Sequence, residues 1–450
     1  MAEANELIVS VSGIRGIVGK SLTPQTAVAF AMALASQNAR GRIVLCRDGR
    51  PSGLALRHAV LAGLMASGCD VADIGIAPTP TCGVAIRELN AAGGIQLTAS
   101  HNPAAWNGLK LFGSDGAVLN TAAGQVILER FRDSSFRHAA WNEQGQEDRC
   151  LDAGNWHQSR ILSLVDAEPI RLCRPRVFLD ANGGAGGPLG KSLLEALGTT
   201  ATCHACAADG HFFHEPEPIA ANLREICPLV PQSHADIGFV LDPDADRLAI
   251  IDENGQYIGE ELTLALAVRY RLGQERGPVV INMSTSRLCE DIARQFGCPC
   301  HRSAVGEANV VERMKVAGAV IGGEGNGGVI DPRVGWVRDP FIGMALVLSL
   351  LAETGKKLSE LVAEFPSYQI VKNKATVTRE QLPALYQALT SAWPEARTDR
   401  LDGLRLDWED RWVHVRPSNT EPIVRVIAEA PHLDQAQDLC DQVGQIATTA

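Results

Sequence analysis

At 450 residues the chain is too long for one ordinary core and implies several domains, nominally about three on length alone. Apolar residues make up 46% of it and charged residues 21%, which excludes a disordered or fibrous chain, and a formal charge of −11 sets aside nucleic acid and anionic membrane as partners while leaving room for a local basic pocket around a small phosphate. The opening "MAEANELIVSVSG" has no basic segment leading into a long apolar core, and the longest apolar stretch, "FIGMALVLSLLA", is about a dozen residues against the roughly 20 that a bilayer span needs. With 12 scattered cysteines that read as reduced thiols, these features predict a soluble, cytoplasmic protein.

The first elements follow "VSGIRGIVG", a glycine-flanked stretch carrying Arg15. In "GRIVLCRDGRPSGLALRHAVLAGLMASGCDVADIG" an apolar strand, a small-residue loop, a helix ending near Gly68 and a second strand succeed one another. The same order recurs in "RPRVFLDANGGAGGPLGKSLLEALGTTATCHA", whose helix ends near Gly198, and in "GPVVINMSTSRLCEDIARQFGCPCHRSAVG", whose helix ends near Gly297. Strand, helix, glycine and strand describe a βαβ unit of a parallel or mixed sheet, and its recurrence predicts three related α/β domains. From about Val371 the pattern changes. A strand in "KNKATVT", a helix across "REQLPALYQALTSAW", two strands in "GLRLDWEDRWVHVRP", another in "PIVRVIAEA" and a last helix predict a smaller α+β domain. The expected domains are 1–155, 156–258, 259–368 and 369–450.

Several stretches carry chemistry. "LTASHNPAAWNGLKLF" sets Ser100, His101, Asn102 and Pro103 between two apolar runs, with Lys110 on the second; Ser100 is a candidate nucleophile, though it lacks the G-x-S-x-G setting of a hydrolase elbow. In "DIGFVLDPDADRLAIID", Asp242, Asp244 and Asp246 follow a buried-looking strand. Residues two apart on an extended segment share a face, so the carboxylates converge, and such charges repel unless a hard cation, most simply Mg²⁺, neutralises them. Arg247 supplies balancing charge; the alternative is a solvated acidic turn. A serine oxygen that carries phosphate beside that cation links the two stretches as phosphoryl transfer, with His101 and Lys110 managing protons or steadying the phosphate. "VIGGEGNGGVI" places Glu324 and Asn326 in a glycine-rich loop suited to sugar hydroxyls or to a plain tight turn. "WVHVRPSNTEPIVRVIAEA" sets Arg416, Ser418, Asn419 and Thr420 between two strands, with Arg425 on the second, as a phosphate clamp or an ordinary hairpin turn. Two further patterns are decoys. "AGGPLGKS" nearly fits the nucleotide-binding G-x-x-x-x-G-K-S/T, but Ala185 holds the first glycine position. Cys203, Cys206, His211 and His214 have zinc chemistry at spacings shorter than those of common zinc modules.

Taken together, "SGIRG", "TASHNP", "DPDADR", "GEGNGG" and "RPSNTEP", in that order and over nearly the whole chain, resemble the α-D-phosphohexomutase superfamily. The resemblance implies three similar α/β domains and a fourth, smaller one around a central cleft. Ser100 is then carried as phosphoserine and passes its phosphate to a sugar monophosphate; the bisphosphate reorients and returns its other phosphate. Asp242, Asp244 and Asp246 would hold one Mg²⁺ that also touches Ser100, with Arg15, Arg247, His101 and Lys110 lining the same centre. Glu324 would grip the sugar, and Arg416, Ser418, Asn419, Thr420 and Arg425 the non-transferring phosphate. A hexose 1,6-bisphosphate is the implied activator, a small hexose phosphate the partner, and a monomer or homodimer the assembly. Two departures stand out: many members have serine and then Gly-His where this chain has Asn326, Gly327 and Gly328, and Pro243 replaces a common glycine. The motifs look most like those of phosphoglucosamine mutases, with phosphomannomutases and phosphoglucomutases next and a non-catalytic sugar-phosphate binder as the rival class.

Overall fold

The computed structural model describes residues 7–10, 13–38, 40–418 and 422–449. In the first sheet, Ile43–Arg47 lies between two parallel neighbours, Val71–Ile76 and Gly93–Leu97, and Gly93–Leu97 turns back through an antiparallel hairpin into Trp106–Gly113. The second sheet repeats that order: Arg176–Asp180 sits between Thr200–His204 and Ile237–Leu241, and Ile237–Leu241 turns back into Leu248–Asp252. So does the third, with Val279–Asn282 between Cys300–Ser303 and Ile321–Glu324, which turns back into Gly328–Ile330. The three α/β domains therefore share one mixed-sheet topology. The first sheet extends it with Gly13–Ile17 and Ile8–Ser10 at one edge and Glu147–Arg149 at the other.

Local chemistry accounts for the crossovers. The helices Gly53–Ala66, Gly187–Ala196 and Leu288–Gln295 each stop two residues before a left-handed glycine, at φ +78° for Gly68, +84° for Gly198 and +67° for Gly297. A side chain there would be strained, and the freed amides cap the last helical carbonyls. The stretch "FIGMALVLSLLA" forms most of the helix Pro340–Thr354, whose residues are buried on all sides through Leu350. It belongs to a core shared by the second and third domains, as an all-round apolar helix must. No helix of the described residues is long and apolar enough to cross a membrane.

The C-terminal unit is an antiparallel sheet in the order Gln369–Thr376, Ile423–Ala430, Trp412–Pro417, Leu404–Asp407, Arg397–Asp399. Val413 and Val415 face a core that includes Leu385 and Leu389 of the helix Leu382–Ala392 and Leu439 and Val443 of the helix Leu433–Thr449. Strand alternation puts Trp412, His414 and Arg416 on the opposite face. There the buried His414 bonds Ser284 Oγ at 2.9 Å and Arg405 donates to the carbonyl of Met283, seating the unit on the third domain.

The topology places the chemistry. The loop carrying Ser100, the loop carrying the three aspartates and the loop carrying Glu324 are the same hairpin turn of three equivalent sheets, each at the carboxyl end of a parallel strand.

Candidate active site

Ser100 lies just past the strand Gly93–Leu97 and adopts φ +51°, a left-handed conformation uncommon outside glycine. The surroundings enforce it. Its N–H donates to Thr98 Oγ1 at 2.9 Å, and Thr98 in turn donates to Asp48 Oδ2 at 2.7 Å. Arg50, ion-paired with Asp48 and fully buried, donates Nη2 to the carbonyls of Ser100 at 2.8 Å and Asn102 at 2.5 Å. The backbone turns further through the Asn102 N–H, which donates to the carbonyl of Ala99 at 3.1 Å. The result is a serine only 2% exposed whose Oγ is 3.2 Å from His101 Nδ1 and 3.4 Å from Asp242 Oδ2. Burial, and then the Arg247 charge, push the His101 ring down to about 4, so it is neutral at ordinary pH.

The aspartates converge by a different route from the extended segment the sequence suggested. They occupy a turn: Ala245 takes φ +50° and donates its N–H to the carbonyl of Asp242 at 2.9 Å. Asp242 Oδ1 accepts the amides of Asp246 at 2.9 Å and Arg247 at 3.1 Å, folding the loop over itself. Alternation along a strand cannot bring three consecutive same-face carboxylates to one point; this reversal does. All three are fully buried, and one oxygen from each lies within 4.8 Å of the others.

Such a cluster is unstable without cations. Lys110, on the strand Trp106–Gly113, sets Nζ 2.8 Å from Asp244 Oδ2 and 2.9 Å from Asp246 Oδ2. Thr79 Oγ1 is a further 2.7 Å partner of Asp244. Burial alone would discharge Lys110, but Asp244 and Asp246 hold its affinity for a proton above the usual lysine value. Asp242, which lacks such a partner, is pushed well above the usual carboxylate range by burial and by Asp246 and Asp244. Asp244 Oδ1 and Asp246 Oδ1 are buried with no hydrogen-bond partner among the described residues. Orphaned hard oxygens around three carboxylates fit a small divalent cation. Arg15 is half-buried on the strand Gly13–Ile17; burial lowers its proton affinity below the usual arginine value, against the opposing pull of Asp244 and Asp246.

Glu324 is 5% exposed. Its Oε1 accepts from Asn282 Nδ2 at 2.9 Å and the Gly306 amide at 3.0 Å, which leaves Oε2 with a free lone pair beside Arg338 Nη1 at 3.1 Å. Asn326 is half-buried, and its Oδ1 has no hydrogen-bond partner among the described residues. The proposed phosphate clamp forms a separate constellation on the C-terminal sheet. Arg416 and Arg425 are paired directly across neighbouring strands, Arg416 Nε stands 3.3 Å from Asp402 Oδ2, and the Ser418 amide closes the hairpin on the Ile423 carbonyl at 2.9 Å. Asn419 and Thr420 lie outside the described residues.

Residues 7–138, 157–255, 259–368 and 368–445 match, in turn, the families described as phosphoglucomutase/phosphomannomutase alpha/beta/alpha domain I, domain II, domain III and C-terminal domain. The chain belongs to the phosphoglucomutase/phosphomannomutase family. Phosphohexomutases of this kind are intramolecular phosphotransferases, and hence isomerases. A Methanopyrus kandleri protein named "Probable phosphoglucosamine mutase" is 36% identical over 96% of this chain and 95% of its own. A Thermococcus kodakarensis protein named "Phosphoglucomutase/phosphomannomutase" is 37% identical over 95% of each. The crystal structure of a phosphoglucomutase/phosphomannomutase family protein from Burkholderia thailandensis superposes with a TM-score of 0.86, 27% identity and 98% coverage of both chains.

In this phosphohexomutase the sequence motifs omit several residues of the centre. Glu217 accepts from Arg247 Nη1 at 3.0 Å and lies 3.8 Å from His101 Nε2. Arg338 and Glu307 stand beside Glu324, and Asp48, Arg50 and Thr98 support Ser100 from below. The "RDGRPS" stretch, with its charges inside a strand-to-helix loop, was the one local signal for Asp48 and Arg50. Both decoys dissolve. Ala185 donates its amide to the Pro243 carbonyl at 2.8 Å, and Gly187 packs on the backbone of Cys206, so the "AGGPLGKS" turn is filled by protein instead of phosphate. His214 bonds Asp180 at 3.0 Å, and the aspartate trio is the one group of ligating side chains assembled among the described residues.

Proposed function

We propose that this phosphohexomutase moves a phosphoryl group between the 6 and 1 positions of a hexose phosphate through phosphoserine at Ser100, with glucosamine 6-phosphate to glucosamine 1-phosphate as its reaction. The observation that carries the reading is Ser100 Oγ held 3.4 Å from Asp242 inside a buried trio of carboxylates ringed by Lys110, Arg15 and Arg247. A transferring phosphoryl group develops charge on its oxygens, and fixed cations in a water-poor site stabilise it without reorganising. Asp242, Asp244 and Asp246 would hold Mg²⁺, which when bound neutralises charge on the phosphoryl oxygens.

The chain's own residues do the rest. Phosphoserine gives its phosphoryl to a sugar hydroxyl, so the serine O–P bond breaks as the sugar O–P bond forms. The hydroxyl proton leaves to neutral His101 through Nδ1, 3.2 Å from Ser100 Oγ, and returns from there to the departing serine oxygen. Glu324 orients the sugar through Oε2. Arg416, Ser418, Asn419, Thr420 and Arg425 hold the phosphate that is not being transferred, first one end of the sugar and then the other. A trace of hexose 1,6-bisphosphate primes Ser100.

The amino sugar is supported by relatives named as phosphoglucosamine mutases at 36% and 35% identity. The Thermococcus relative named for glucose and mannose phosphates keeps those as the second reading. Isomerisation of glucosamine 6-phosphate, mannose 6-phosphate and glucose 6-phosphate, side by side with Mg²⁺ and the matching 1,6-bisphosphate, tests it. Preference for the amino sugar is expected. Preference for either of the others overturns the substrate, and inorganic phosphate in excess of isomer overturns the mutase.

A further inference from the structure

Arg338 belongs to no motif legible in the sequence, yet it touches both the aspartate loop and the sugar loop. It precedes the buried helix Pro340–Thr354 and is 8% exposed. Its Nη2 donates to Asp246 Oδ2 at 2.6 Å and its Nη1 to Glu324 Oε2 at 3.1 Å. Nε lies 3.7 Å from Glu307 Oε2, and Glu307 Oε1 accepts the Arg338 backbone amide at 2.7 Å, so the base of the side chain is held as well as its tip. A guanidinium is a rigid planar fork, and this one spaces carboxylates from two different domains. Gly328 makes the room: a Cβ on it would stand 2.3 Å from Arg338 Cδ. The arginine therefore lies directly over the loop at Gly328. Burial opposes its charge, but Asp246, Glu307 and Glu324 prevail and keep it protonated.

We infer that Arg338 is a positioning residue for phosphoryl transfer: it sets the Glu324 carboxylate, and so the sugar hydroxyl that Glu324 orients, at a fixed distance from Ser100 and the aspartate loop. The inference rests on the phosphohexomutase reading of the same site. Its consequence is the choice of acceptor. With the hydroxyl in register, the sugar oxygen takes the phosphoryl from Ser100. Out of register, a water oxygen bonds the phosphorus as the Ser100 O–P bond breaks, the water proton passes through His101 to the serine oxygen, and inorganic phosphate is released.

Arg338→Lys keeps the charge and removes the fork. At saturating Mg²⁺ the ratio of isomerised sugar phosphate to inorganic phosphate is expected to fall at least about tenfold, because a small misplacement of reacting atoms is enough to do so. Gly328→Ala, which pushes a methyl against Arg338 Cδ and leaves every charge in place, is expected to shift the ratio the same way by a smaller factor. In the metal-free protein, amide exchange across Gly325–Gly328 is expected to quicken in Arg338→Lys, a readout independent of turnover. A merely structural role slows isomerisation and phosphate release together; an unchanged ratio in both variants, or unchanged exchange, overturns the inference. Absence of isomerisation by the unmodified enzyme on all three sugars overturns the phosphohexomutase reading instead, so the two failures are distinguishable.

Discussion

Ser100 and the three aspartates are at most 2% exposed and are met from beneath, from the side and from neighbouring domains by Arg50, Lys110, Arg247 and Arg338. The C-terminal constellation is built the other way: Arg425 is exposed, Arg416 is half-buried, and the two are paired across neighbouring strands. Under the proposed mechanism the difference follows from what each region would handle. Charge that develops during phosphoryl transfer needs dipoles and cations fixed beforehand in a low-dielectric site. A substrate's resting phosphate arrives with its charge already formed, so an open fork of arginine suffices to bind it. In the proposed mechanism the chemistry falls on the equivalent hairpins of the α/β domains, and the non-transferring phosphate on a fourth unit that docks through a few polar contacts.

Substitutions separate the two regions, beginning with the largest effect. Ser100→Ala is expected to cost at least about 10³-fold in kcat with the sugar phosphate still bound, measured by steady-state kinetics and calorimetry; retained turnover would move the phosphoryl carrier elsewhere. Asp244→Asn is expected to cost about 10²- to 10³-fold in kcat and to raise the Mg²⁺ needed for half-activation, since it removes one charge of a converging set. If rate and Mg²⁺ response both stay put, the trio is a structural turn. Arg416→Ala should act on the other axis, raising KM for the sugar phosphate by about 10- to 100-fold with a smaller change in kcat. A kcat effect as large as that of Asp244→Asn would erase the distinction drawn here.

The smallest effect concerns docking of the fourth unit. His414 must donate Nε2–H to the Asp402 carbonyl at 2.5 Å, so Nδ1 accepts from Ser284 Oγ–H and the ring is neutral. Burial pushes that ring down from 6.5 to about 4. A histidine depressed in the folded state costs nothing above its unfolded value and loses stability as pH falls from about 6.5 toward about 4, by up to about 3 kcal/mol. His101, lowered to about 4 as well, adds to the same acid limb. Unfolding midpoints followed across that window should fall for the unmodified chain and fall less steeply for His414→Gln; parallel curves would remove His414 from the account.

How much of this was legible varies with how local the determinant is. The three crossover units and the C-terminal α+β pattern were readable because helix-ending Gly68, Gly198 and Gly297 punctuate apolar runs of strand length. Ser100, the aspartates and Glu324 were readable because each loop gathers its polar residues within a few positions. The geometry of the aspartate loop was not, since Ala245 is left-handed without being glycine and no side chain announces it. Arg338, Glu307 and Glu217 were hidden for another reason: each reaches its partner from a different hairpin or helix, across 92 positions for Arg338 and Asp246, and such pairs leave no local pattern. The zinc-like Cys203, Cys206, His211 and His214, set aside on their spacing, show the opposite case: close in sequence, with His214 bonded to Asp180.

The central claim, a phosphoryl group carried by Ser100 and returned to sugar, is tested most directly by the intact mass of the protein after brief exposure to hexose 1,6-bisphosphate and Mg²⁺, with the modified peptide mapped and then chased by hexose 6-phosphate. The account predicts one added phosphoryl group, on Ser100, that reappears in sugar bisphosphate and isomerised monophosphate during the chase. Phosphate on another residue, or its release to water as inorganic phosphate, would contradict it.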